Sequence, residues 1–147
     1  MARAQASMEY LLVAGIVLLV ILPSIYIFYN YSHRSNVEIG QSQVDNIGKK
    51  IVDAAEEVYY LGGQSKITLD LTMPEGVKNM EIWCNQKLVF LMEDGSELSF
   101  NSRVNITSDE YLGGPKVCYG FKEASYSQGL KKVIVSAKMD NVLVEVR

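Results

Sequence analysis

Arg3-Ala4-Gln5-Ala6-Ser7-Met8-Glu9-Tyr10 runs directly into Leu11-Leu12-Val13-Ala14-Gly15-Ile16-Val17-Leu18-Leu19-Val20-Ile21-Leu22. From residue 11 to residue 28 there are 18 positions without a charge, with only Pro23 and Ser24 out of character. As a helix this stretch spans about 27 Å at 1.5 Å per residue, enough to cross the hydrocarbon core of a bilayer. The run is apolar on every face. A buried core helix is the alternative, but a chain of 147 residues has little with which to cover such a helix all round.

Around the run, Tyr10 stands at one end and Tyr26, Phe28, Tyr29 and Tyr31 at the other, where amphipathic rings favour the water interface. Arg3 and Glu9 are the only charged side chains in the first 30 residues. Glu9 sits at the very edge of the apolar run, and an ionised carboxylate entering hydrocarbon costs about 2.5–3.5 kcal/mol on insertion scales. A chain that keeps it there has either a partner for it or a solvated position just outside the bilayer.

The formal net charge is -3, and no Lys/Arg block is present, so nucleic-acid binding has no electrostatic support. Arg3 on one side and Arg34 on the other leave the orientation in the membrane undecided. A cleaved secretory signal would have a shorter apolar core followed by small residues, whereas here the small residues precede the run.

With its short basic leader, Ala4-Gln5-Ala6-Ser7-Met8-Glu9 and the hydrophobic helix in that order, the chain resembles an archaeal type IV pilin-like protein with a class III signal peptide. Ala4 stands where Gly is also common in that family. The resemblance covers about the first 30 residues. It implies that a prepilin peptidase cuts between Ala4 and Gln5, discarding residues 1–4 as a leader and retaining the hydrophobic helix. It further implies that Glu9 neutralises the new amine of Gln5 on a neighbouring subunit. A carboxylate and an ammonium that are each costly when buried offset much of that cost as a hydrogen-bonded pair.

The partners implied are identical subunits in a homopolymer, the peptidase, the pilus assembly machinery and, before assembly, the cytoplasmic membrane. The destination implied is an extracellular adhesive filament. Pro23 is either a kink, as pilins have at a similar depth, or the end of the membrane helix; the kink is expected.

Residues 5–29 thus form the hydrophobic helix, and residues 30–62 are expected to continue it as an amphipathic one. Val37, Gly40, Val44, Ile47, Ile51, Ala54, Val58 and Leu61 recur at alternating steps of three and four, with polar residues on the other faces. Lys49 and Asp53 stand at i,i+4, and Gly62-Gly63 stops the helix. The stripe is expected to pack on the chain's own outer domain; a coiled coil is the alternative, with Gly40 and Ala54 as weak knobs. The polar interval 30–36 is a place where the helix is expected to loosen.

In residues 63–147 the period changes to two. Ile67, Leu69, Leu71 and Met73 alternate with polar residues before the turn signal Pro74-Glu75-Gly76. Further strands are expected at 80–84, 87–92, 97–100, 103–107, 117–121, 132–137 and 142–146. Asp94-Gly95 marks a hairpin, and Asp140-Asn141 the last tight turn. The fold class expected is therefore α+β: a long N-terminal helix followed by an antiparallel sandwich-like or partial-barrel domain. Tyr60-Leu61-Gly62-Gly63 and Tyr111-Leu112-Gly113-Gly114 repeat a tetrapeptide without matching flanks, which reads as two turns and no duplication.

Cys84 and Cys118 are the only cysteines; in an exported domain they suggest one disulfide, two free thiols being the alternative. They are too few for a tetrahedral zinc site, and no metal or cofactor is expected. Asn30-Tyr31-Ser32 and Asn105-Ile106-Thr107 are N-glycosylation sequons, with Asn105 the better candidate because Asn30 lies at the membrane exit. The single histidine, His33, has no serine elbow, phosphate loop or ligand cluster beside it, and neighbouring acids such as Glu56-Glu57, Glu93-Asp94 and Asp109-Glu110 form no convincing dyad. No catalysis is expected. The rival to a filament subunit is a low-abundance pilin-like or single-pass anchored β-domain that binds a surface or ligand.

Overall fold

The computed structural model describes residues 2–84 and 86–147, and the side chains of all of these except 2–7 and 33–36. It divides into two compact units, Met1–Glu38 and Ile39–Arg147. The first is helical throughout its described residues, as the N-terminal part of α1, Ala2–Leu61. The helix assignment passes through both Pro23 and the polar interval 30–36 without a break. Pro23 is therefore not the end of the helix.

The second unit begins with the C-terminal part of α1. Val44, Ile47, Ile51, Ala54 and Val58 are buried as the stripe predicts, and Val52 and Ala55 are buried beside them. Leu61 is not: it is 67% exposed. A strict seven-residue repeat drifts by about 20° per heptad around a 3.6-residue helix, so the end of the stripe has rotated away from the core. The helix stops after Leu61, where Gly62 takes φ +91 and donates its N–H to the carbonyl of Tyr59 at 3.2 Å. Only glycine adopts that conformation without strain.

Among the described residues nine strands and a short helix follow: β1 Lys66–Met73, β2 Val77–Trp83, β3 Lys87–Met92, β4 Glu97–Asn101, β5 Ile106–Thr107, β6 Glu110–Tyr111, β7 Val117–Gly120, α2 Glu123–Tyr126, β8 Gly129–Ala137 and β9 Val142–Val146. They form two sheets, ordered β1-β8-β9-β5 and β4-β3-β2-β7-β6. The chain is α+β with mainly antiparallel sheets, as expected, but β5 lies parallel to β9, pairing Ile106 with Val142.

Strand 103–107 shrinks to two residues for a visible reason. The N–H of Ser102 goes to Gln86, that of Arg103 to the Glu56 carboxylate at 3.0 Å, and that of Val104 to the Ser102 hydroxyl, so none is free for a ladder. Neither β6 nor α2 was signalled by periodicity, both being too short to show any.

A single apolar core joins α1 to both sheets, including Leu88 and Phe90 of β3, Val133 and Val135 of β8, and Val142 and Val144 of β9. Val89, Ile134 and Leu143, between them in sequence, are buried too. Since successive strand residues face opposite ways, these strands are covered on both faces. The helix comes so close at Gly48 that an added Cβ would clash with the ring of Phe100. Where α1 enters the second unit it is tied to the β3–β4 turn: Gln41 Nε2 donates to Asp94 Oδ2 at 2.9 Å. The hydroxyl and backbone N–H of Ser96 also bond Asp94 and hold its carboxyl below the usual carboxylate range; desolvation opposes this, and Gln41 adds to it.

Candidate assembly helix and surface sites

Residues 8–32 form a helical segment in which every side chain is exposed except Ala14, which is half-buried. The large apolar residues, from Leu11 and Leu12 to Ile27 and Phe28, point to all sides without cover. The helix is long and apolar enough to cross a membrane. Leaving so much apolar surface in water is costly, since each fully buried Leu or Ile is worth about 1.5–3 kcal/mol. Such a helix could anchor the chain in a membrane.

Glu9 is exposed at the start of this segment, next to Tyr10. Ala4 and Gln5 belong to the helical backbone, but their side chains, and with them the expected cleavage contacts, lie outside the described residues. Pro23 lies inside the helix and has no N–H to give the carbonyl of Leu19. One residue on, the Ser24 hydroxyl turns back to the Val20 carbonyl at 2.8 Å, so it adds no polar group needing a partner in lipid. Asn30 is exposed on the helix.

Asn105 is exposed in the loop before β5, its carbonyl accepting the N–H of Val142 at 2.8 Å. The third residue of that sequon, Thr107, is buried, with its hydroxyl on the Val142 carbonyl at 3.2 Å.

The disulfide expected between Cys84 and Cys118 is not formed; both are free thiols, Cys84 exposed and Cys118 half-buried. Ile82 pairs with Tyr119 and Trp83 with Val117, so Cys118 is the extra residue of a bulge. Cys84 lies beyond the ladder with its N–H on the Lys116 carbonyl, and its φ of 51° takes its Cβ out of the alternation of the strand.

Around Cys84 lies an arrangement that no sequence motif announces. Lys116 Nζ sits 3.6 Å from the centre of the Trp83 ring, while Trp83 Nε1 donates to Glu81 Oε2 at 2.7 Å. A cation over the indole face and an anion at its edge match the ring's charge distribution. Trp83, Lys116 and Cys84 border an open cavity of about 380 Å³ that also touches Gln86 and Asn101. The β6–β7 hairpin exposes Tyr111 and Leu112, with Tyr111 edge-on to Tyr119.

Among the described residues, no three of His, Cys, Asp and Glu come together as metal ligands would. Comparison with known proteins leaves the site to be read from its own chemistry: no protein-family model, curated protein or solved structure matches this chain.

Proposed function

We propose that this chain is the structural subunit of an archaeal type IV pilus-like surface filament, polymerising through its N-terminal helix after a peptidase cuts between Ala4 and Gln5. The observation that carries the reading is the uncovered apolar segment 8–32 in a chain whose second unit already buries a core of its own. Lipid before assembly and neighbouring helices afterwards are equivalent apolar surroundings for it. The Gln-x-Ser-x-Glu pattern at residues 5–9 supplies the specificity, because cleavage before Gln5 creates the positive charge that an apolar setting demands of Glu9. The β unit then forms the filament's outer surface, available for adhesion.

Mass spectrometry of the mature chain is expected to find Gln5 at the N-terminus; any other terminus removes the main support. Glu9→Ala is expected to leave cleavage and membrane insertion intact while reducing filament yield, and a normal yield refutes the pairing. A second reading, a low-abundance pilin-like or anchored binding module, is favoured by the exposed Tyr111 and Leu112 on the β6–β7 hairpin. Abundance separates the two: a bulk subunit dominates sheared filaments, and a binding module is scarce in them.

A further inference from the structure

The C-terminal half of α1 buries one side in the β unit and leaves the other uncovered. On the uncovered side Ile39, Gln43, Asn46, Lys50, Asp53, Glu57 and Tyr60 recur at alternating steps of four and three, and all are exposed. Such spacing keeps them within about 100° of the helix circumference. The stripe is polar in its middle and carries one cation followed by two anions.

Their charges are unspent. Among the described residues the ion pairs are Lys49 with Asp45, Lys132 with Asp70 and Arg147 with Glu145, and none involves Lys50, Asp53 or Glu57. The neighbours Lys49 and Glu56 are already engaged, by Asp45 at 2.6 Å and by the Arg103 N–H. What remains is a stripe complementary to a shifted copy of itself. Two parallel copies in register would set Lys50 against Lys50 and acid against acid. A shift of three to seven residues, about 4.5–10.5 Å along the axis, sets Lys50 of one copy against Asp53 and Glu57 of the other.

We infer that this stripe docks on the same stripe of a second copy of the chain, shifted by about 6 Å, with Lys50 of one copy between Asp53 and Glu57 of the other. The inference rests on the filament reading, which supplies the size of the shift. The contact proposed between residue 5 of one subunit and Glu9 of the next displaces the two by four residues. The same axial displacement brings Lys50 level with residue 54, inside the window that the charges allow. An axial displacement of this size, with the two stripes turned toward each other, therefore brings Lys50 to its acids, and the charge stripe helps to select the register of the neighbouring copies.

The test uses the full chain in its host, with sheared filaments measured against cell-associated subunit. Lys50→Glu is expected to lower filament yield about tenfold, and so is Asp53→Lys with Glu57→Lys. The triple exchange, Lys50→Glu with Asp53→Lys and Glu57→Lys, restores complementarity and is expected to recover most of the yield. Recovery separates docking from damage to the fold, which a third substitution would not repair. Wild-type yield from Lys50→Glu, or no recovery in the triple variant, overturns the inference. If Glu9→Ala abolishes filaments while Lys50→Glu keeps them, the filament reading stands and this inference alone falls. If the parent chain forms no filament, both fall.

Discussion

Gly48 shows how much a single position decides. Helix propensity favours alanine over glycine by about 1 kcal/mol in a helix interior, so an isolated helix would gain from Gly48→Ala. In the folded unit the new methyl meets the Phe100 ring, which is itself buried and stacks edge-on against Phe90. Overpacking of that kind costs about 1–3 kcal/mol. Gly48→Ala is therefore expected to destabilise by a net of up to about 2 kcal/mol and so to lower the thermal midpoint, whereas Gly15→Ala, with open space around its Cβ, is expected to leave the β unit's melting unchanged. Calorimetry or circular dichroism of the two variants checks the contrast. Nothing in the sequence marks Gly48, because the demand for glycine comes from a ring 52 positions away, at Phe100. Cys84 and Cys118 teach the same lesson: their even count suggested a bond, while both are free thiols, and the bulge at Cys118 and the left-handed backbone of Cys84 belong to the sheet.

Among the elements, those with a sustained period were legible and the short ones were not. The helical stripe, β1 and β9 follow from three-four spacing or alternation with bounds close to those observed. A two-residue strand such as β6 has no period, and β5 was overextended because the N–H groups of Ser102, Arg103 and Val104 are claimed by side chains and loops. The stripe itself was right in its middle and wrong at its end. Ile51 is fully buried and Leu61 lies out in solvent, although both sit on the same repeat. Ile51→Ala is accordingly expected to destabilise by about 2–5 kcal/mol. Leu61→Ala is expected to stay within about 0.5 kcal/mol. Equal losses in denaturant titrations of the two variants would show that the helix packs in a different rotation.

For the whole molecule, the division into Met1–Glu38 and Ile39–Arg147 separates two solvent requirements within one chain. The second unit contains the entire apolar core, from Val44 to Val144. A polypeptide beginning at Ile39 is expected to remain soluble without detergent and to unfold in one cooperative transition. The full chain is expected to need detergent or lipid, because segment 8–32 has no cover of its own. A truncated chain that aggregates or melts without cooperativity would show that the first unit is required for folding. What the sequence determined by itself was whatever depends on neighbours along the chain: the membrane-length helix, its amphipathic continuation, the alternating strands and the Gly62 stop. The tertiary structure decided what depends on residues far apart meeting: Gly48 against Phe100, the parallel β5–β9 pair, the bulge at Cys118 and the Lys116–Trp83–Glu81 cluster. Periodicity is a local property of the backbone, whereas register and close approach are settled only when distant elements share one core.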